Sequence, residues 1–369
     1  MRRLVLRTLP LVMAALLLSG CVLNGLVPLP ADVVYPSIEP VADAGPMPPV
    51  PLAWQFEGAE VRLSVPVDAA VYQGAKTAQK SALFFKEIDE LEWIPAYYRA
   101  FVDEPSQEPL YEVMIRDLRR LRNSLGLESD RYAELIVSAV QSLDYRTDPV
   151  YLEPKFPVET VGDVNGDCDD KTLLAAALLA REGDDVAILL FEDEQHVALG
   201  IRTNGSTFGG SGYALVETTT PTLFGWVPDS LNGGITLKSE PMVIPIGEGR
   251  GSYGAGRQVE GIREEYDRAI ATAEQLDPDI KQSQSDLDRM ASEVEQVRAE
   301  AESRSAQGDV AGFNTLVPRY NELVAAYNAA VETHNELVAR QQQAVEVATR
   351  ISENQTDRSG LAEWLGVER

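Results

Sequence analysis

The feature that most restricts this chain is a seven-residue recurrence in its last third. Val317, Val324, Val331, Val338 and Val345 stand seven apart, as do Tyr320, Tyr327 and His334; Asn321, Asn328 and Asn335; and Leu323, Ala330 and Leu337. That period holds one stripe of a helix against a partner helix, so the stretch reads as coiled coil. Upstream, Ile280, Leu287, Met290, Val294, Val297 and Ala301 follow three- and four-residue steps, with Asp277-Pro278 read as the cap and first turn. Gln307-Gly308-Asp309 breaks the helix, and Pro318 reads as lying in the first turn of the second arm, where proline is tolerated. An antiparallel hairpin over 257–355 is the simplest arrangement. His334 takes the place of Tyr320 and Tyr327 in the repeat, which makes it a packing residue rather than a ligand or base.

The remainder of the 369 residues is long enough for a globular domain. At 44% hydrophobic and 24% charged, the chain is neither wholly disordered nor a polytopic membrane protein. Its 32 basic and 58 acidic residues leave a net charge of −26, which argues against nucleic acid as a partner held through phosphate contacts. Lysine is confined to Lys76, Lys80, Lys86, Lys155, Lys171, Lys238 and Lys281, and an acid-rich, lysine-poor surface suits a host living in high salt.

Residues 1–20 read as an export signal: Arg2, Arg3 and Arg7, then the apolar run Leu9 to Leu18, then small residues. The run is too short to span a bilayer as a helix. Its end, Leu18-Ser19-Gly20-Cys21, resembles the lipobox of lipoprotein signal peptides, which implies that Cys21 becomes a lipidated mature N-terminus. Loss of three arginines and no acid would take the net charge from −26 to −29. Val22 rather than Asp after Cys21 implies, by the same resemblance, the periplasmic face of an outer membrane if the host has two membranes. Residues 21–52, with Pro28, Pro30, Pro36, Pro40, Pro46, Pro48, Pro49 and Pro51, read as a semi-rigid tether.

From Trp54 to Val65 the order Trp54, Phe56, Val61, Leu63, Val65 is strand-like, though Gly58 interrupts it. Leu110 to Leu125 and Tyr132 to Leu143 read as helices, the second capped by Ser129 or Asp130. A loop with Gly162, Asn165 and Gly166 leads to an apolar helix, Thr172 to Ala180, closed near Gly183. Strands are expected at Val186–Phe191, His196–Arg202 and Tyr213–Thr218, the last two antiparallel around the turns Asn204-Gly205 and Gly209-Gly210. One helix and then a run of strands argues an α+β domain over 53–246, with its core at 129–228. Glycines 247, 249, 251, 254 and 256 mark 247–256 as a linker to the hairpin, and 356–369 forms a tail whose Leu361, Trp364 and Leu365 could dock as a helical turn.

Chemistry concentrates around Cys168, in Gly166-Asp167-Cys168-Asp169-Asp170 at the start of the apolar helix. Unpaired N–H groups and the helix dipole favour a thiolate there, while the three aspartates oppose it, so a partner cation is needed. His196 is the one histidine outside the heptads, and a Cys–His pair is how thiol nucleophiles are activated. Glu217, on the next strand, could orient the ring. Asp163, Asn165, Asp167 and Asp169 alternate like a calcium loop, but Cys168 stands where that loop needs Gly and Leu174 where it needs Glu, so no metal is expected.

The wording of four segments goes further. Phe156-Pro157-Val158-Glu159-Thr160, Gly166-Asp167-Cys168-Asp169-Asp170, His196-Val197-Ala198-Leu199-Gly200 and Glu217-Thr218-Thr219 resemble the transglutaminase-like superfamily, most closely its bacterial and archaeal thiol enzymes. The resemblance runs from about Ser129 to Pro228, more weakly back to Trp54, and leaves the hairpin unmatched. It implies a papain-like core with Cys168 as nucleophile, His196 as general base and acid, and Glu217 as orienting acid, where the family commonly has Asp. The expected function is an exported, lipid-anchored cysteine acyl-transfer enzyme acting on peptide or isopeptide amides, without metal or organic cofactor. Its partners would be a peptide or protein substrate, a membrane through Cys21, and a protein or second copy through the coiled coil. The alternative is a non-catalytic envelope adaptor, binding peptide or polymer with the same domain and partners with the arm.

Overall fold

The computed structural model describes residues 32–147, 153–231 and 234–368. The expected signal segment, Cys21 and the first part of the expected tether lie outside those residues. From residue 32 onward the proline-rich stretch is laid onto the domain rather than leading away from it. Strand β1 (Val33–Val34) pairs antiparallel with a later strand, Ile38 is buried with its N–H on Glu104 at 3.2 Å, and Val41 N–H reaches Ala70 O at 3.0 Å. Apolar residues between the prolines supply the burial that a free tether lacks.

Strands β2 (Val50–Phe56) and β3 (Ala59–Val65) form a hairpin. Glu57 and Gly58 both have positive φ, 49° and 73°, the conformation a tight hairpin turn requires, so Gly58 separates two strands rather than interrupting one. Next come α1 (Ala69–Thr77), β4 (Leu83–Phe84), which is the partner of β1, and α2 (Glu90–Val102). Helices α3 (Glu108–Leu125) and α4 (Ser129–Gln141) follow. Glu128 is the N-cap residue of α4, so the two expected cap residues fall inside the helix, in its first turn. Trp54 Nε1 donates to Ser138 Oγ at 2.9 Å, fixing the hairpin to α4.

The site-bearing half contains β5 (Asp144–Tyr145), α5 (Pro157–Asp163), β6 (Asn165–Gly166), α6 (Cys168–Glu182), β7 (Val186–Phe191), β8 (His196–Ile201), β9 (Ala214–Val216) and β10 (Met242–Ile246). The last four strands form one antiparallel sheet in the order β10-β7-β8-β9. Helix α6 packs on one face, with Leu173 through Leu179 buried. Leu231 and Leu237 cover the other face against Leu189, Phe191, Ala198 and Leu215. With both faces covered, β8 has every residue buried, which is why it reads as an apolar run rather than an alternation. Gly183, at φ 93°, closes α6 where the sequence places the stop.

The glycine-rich segment is not a free linker. Asp185 N–H donates to Gly251 O at 2.8 Å, Gly251 N–H to Gly183 O at 2.8 Å, and Tyr253 N–H to Arg202 O at 2.7 Å. A Cβ on Gly249 would lie 1.9 Å from Asp184 O, so glycine is needed there for backbone approach rather than for flexibility. The strap leads into α7 (Gly256–Ala306) and α8 (Val310–Glu353), antiparallel partners whose seam joins Ser283 Oγ to His334 Nδ1 at 2.7 Å and Gln341 Nε2 to Ala273 O at 3.1 Å. Two expectations need correction here. Pro278 lies inside α7 and Pro318 lies well inside α8, neither at a first turn. In each case the proline and the residue four before it, Glu274 or Asn314, are exposed, so water receives the carbonyl that loses its N–H partner.

Helix α9 (Arg358–Leu365) returns to the domain. The buried Arg358 guanidinium meets Glu134 of α4 and Gln258 of α7, with Glu128 at 3.6 Å, and Tyr253 OH donates to the same Glu134. The chain is thus α+β with a long helical C-terminal region. Because removal of one member of a buried ion pair strands the other, Arg358→Ala should cost about 3–5 kcal/mol. Arg298→Ala, on the exposed face of α7, should stay within about 0.5 kcal/mol in the same urea unfolding measurement.

Candidate active site

Cys168 is the first residue of α6. Ahead of it, Val164 takes a positive φ of 56°, a strained conformation for a β-branched residue, and turns the chain into the short parallel pairing of β6 with β5. Gly166 is required by crowding: a Cβ there would stand 2.6 Å from Asp170 Cβ. Asp167 and Asp170 then cap the helix reciprocally. Asp167 Oδ1 accepts Asp170 N–H at 3.3 Å and Asp170 Oδ2 accepts Asp167 N–H at 3.2 Å. Asp170 Oδ1 also accepts Lys155 N–H at 2.6 Å. Two of the three aspartates that flank the thiol are therefore occupied in building the helix end.

The thiol itself receives the backbone N–H of Val197 and lies 3.3 Å from Asp169 Oδ1. Asp169 Oδ2 in turn accepts Tyr98 OH from α2 at 3.3 Å. Burial pushes the Cys168 thiol well up, and the charges of Asp169 and Asp167 push it further; the Val197 N–H opposes them. The resting side chain is a protonated thiol. Burial, helped by Asp167, also lifts the Asp169 carboxyl to about 6.

His196 opens β8, directly after Gln195 at φ 52°. Its ring is buried near Phe191, centroid to centroid 6.5 Å, and its Nε2 lies 2.9 Å from Glu217 Oε2. Glu217 sits one residue past β9, fully buried. Burial alone would raise its carboxyl, but the His196 bond and charge and two bonds from Thr219 outweigh that and hold it low. Those bonds come from Thr219 N–H at 2.7 Å and Thr219 Oγ1 at 2.6 Å, both to Oε1. An ionised Glu217 assigns the Nε2 proton to the ring and leaves Nδ1 as the basic nitrogen.

The structure thus brings Cys168, His196 and Glu217 to one place: sulfur on the N–H of the residue after the histidine, and histidine on the glutamate. Several supporting residues were not singled out in the sequence. Gln141, the last residue of α4, donates to Glu217 O at 2.8 Å. Lys171, fully buried, donates to Gln141 O at 3.1 Å and Leu143 O at 2.8 Å, pairing the carbonyls at the end of α4. Burial lowers it to about 8 against the raising influence of Glu217 and Asp144. In the sequence Lys171 stands out only as a charged residue bordering an apolar run, which does not reveal its partners. Asp167, Cys168 and Asp169 each offer a ligand atom within 4.8 Å of the others. These donors are already engaged by the helix end, Tyr98 and a proton, which suits a metal poorly. Asp163, at the head of the apparent calcium loop, is held by Lys76 at 2.9 Å and Tyr72 OH at 2.6 Å.

No protein-family model matches the chain, and no curated protein or solved structure matches it significantly.

Two outcomes follow from these charges. Asp169→Asn removes the nearest anion from the thiol, so the pH midpoint for alkylation of Cys168 should move down and its rate at pH 7 rise, as read by peptide mass mapping that separates Cys168 from Cys21. For Lys171, a folded-state value near 8, below the ordinary 10.5, means that the native state binds fewer protons than the unfolded chain between those pH values. Wild-type stability should therefore gain on Lys171→Met as pH rises from 8 to 10.5, by something on the order of 3 kcal/mol. Urea unfolding at the two pH values tests this, and a constant difference would refute it.

Proposed function

We propose that this protein is an exported, lipid-anchored cysteine acyl-transfer enzyme of transglutaminase-like type, acting on peptide or isopeptide amide bonds. The observation that carries this reading is the placement of the Cys168 sulfur on the Val197 N–H while the adjoining His196 holds its Nε2 on a buried, ionised Glu217. The motifs quoted above resemble those of transglutaminase-like enzymes, and a helix that starts at the cysteine and packs on an antiparallel sheet is what a papain-like core would need.

The chemistry follows from the resting protonation states. His196 Nδ1 takes the thiol proton as the sulfur attacks the amide carbonyl. The C–N bond breaks, the amine leaves with that proton, and the acyl group remains on Cys168 as a thioester. Water or a second amine then resolves the thioester, with His196 taking a proton from the incoming nucleophile. Glu217 stabilises the imidazolium formed in between and fixes its tautomer. The Cys168 N–H at the start of α6 is the available oxyanion donor. A thiol held protonated by burial and by Asp169 and Asp167 needs a base beside it to react, and His196 is the base this reading assigns.

The adaptor reading draws support from the same acid-flanked, protonated thiol, together with an arm of 51- and 44-residue helices. The two part on one comparison, made on peptide and isopeptide substrates and in cells. Cys168→Ala and His196→Ala should each abolish turnover by about a thousandfold or more, and Glu217→Gln should lose less than Glu217→Ala. Full cellular function in Cys168→Ala, with loss on deletion of 257–355, would favour the adaptor and end the enzyme reading.

A further inference from the structure

Thirteen large apolar side chains are markedly exposed among the described residues, and five of them, Val34, Leu83, Phe84, Phe85 and Leu91, fall in two short stretches brought together by pairing. Val34 faces Leu83 and Val33 faces Phe84 across β1 and β4, and Phe85 N–H donates to Asp32 O at 3.0 Å. Phe85 is 61% and Leu91 74% exposed, values that cost free energy in water without a covering partner. The patch is also stiff. Phe84 stands edge-on to Trp93 at 5.1 Å, Trp93 to Tyr97 at 6.1 Å, and Tyr97 to Phe101 at 5.2 Å, a run of rings that ends on the buried Phe156.

What covers it is indicated by where it lies along the chain. The patch is built on Asp32, and only residues 22–31 separate that position from Cys21. Fully extended, that length spans roughly 35–40 Å, so a lipidated Cys21 would keep the patch within that distance of a bilayer. We infer that the β1–β4 ribbon and the start of α2 form a membrane-docking face, with Phe85 and Leu91 inserting among lipid chains and Trp93 at the headgroup level. The inference rests on the lipid-anchored part of the proposed function and not on its chemistry. Local charge says which lipid. Lys86 is paired with Asp32, while Glu87, Glu90 and Glu92 are exposed beside the patch. Anionic headgroups are therefore not the attraction; neutral ones are, through apolar burial.

The face would set how the catalytic domain meets the membrane, because α2 carries both Leu91 and Tyr98, whose hydroxyl reaches Asp169 beside the thiol.

The test uses the full chain, purified from host membranes and reconstituted in neutral phosphatidylcholine vesicles containing a bromine-labelled lipid. Flotation reports the anchor, and tryptophan quenching reports the face. Trp93→Phe should remove most of the bromolipid quenching, and Phe85→Ser with Leu91→Ser should reduce it at least twofold while leaving flotation and Tm unchanged. Floating wild-type protein whose quenching is the same in Trp93→Phe overturns the face and leaves the anchor standing. Flotation with Trp93 quenching that persists in Cys21→Ser removes the anchor and keeps the face. Wild-type protein that does not float overturns both.

Discussion

Helix α6 enters the interior at its charged end. An exposed helix leaves its first N–H groups to water, but here they open onto a buried site and must be paired by the protein. The reciprocal bonds of Asp167 and Asp170, with Lys155 N–H closing the outer carboxylate oxygen, meet that demand. The same requirement sets the chemistry. Asp167, brought in to satisfy the helix, stands beside a thiol that would be easier to ionise without its charge, so under the proposed reading the site works through proton transfer to His196 rather than through a standing ion pair. Asp169 differs from its neighbours: it caps nothing and faces both the sulfur and Tyr98.

A second layer holds the acid. Glu217 is fixed at its side chain by His196 and Thr219 and at its backbone carbonyl by Gln141. Gln141 ends α4, and its carbonyl and that of Leu143 are paired by Lys171 from the helix that begins at Cys168. Cys168 and Glu217 therefore share supports, and a change at Lys171 reaches Glu217 through one intervening residue. The middle of α4 carries Glu134, which Arg358 and Tyr253 clasp from the C-terminal side of the chain.

How much of this was legible depends on whether the determinants are local. The apolar run after Cys168, the stop at Gly183 and the strand at Val186–Phe191 are written in consecutive residues, and the structure has them there. Gln307-Gly308-Asp309 likewise reads as a break and is one. The proline-rich and glycine-rich stretches misled for one shared reason. Composition reports what a segment can do alone, whereas Ile38 and Gly249 are held by partners at Glu104 and Asp184, distant in sequence. Pro278 and Pro318 misled in the opposite direction, because a helix gripped along its whole length by its neighbour tolerates a proline on the wet side. Cys168, His196 and Glu217 could be named from residue type and spacing. Gln141, Lys171 and Tyr98 could not, since a glutamine, a lysine or a tyrosine reveals its bonding partner only after the chain has folded.

Both helices of the hairpin are rooted in the domain, α7 through Val259 and Ile262, which are buried in its core, and α8 through Gln355 just past its end, which accepts Leu223 N–H at 3.2 Å from the stretch just beyond Glu217 and Thr219. At 1.5 Å per residue, the 51 residues of α7 place the turn near Gly308 about 75 Å from that root. A tilt of about 5° at the base then carries the tip through roughly 7 Å, while a force applied at the tip acts on the base with the reverse advantage. Viewed mechanically, the hairpin is a lever with its fulcrum against the loop that follows Glu217 and Thr219.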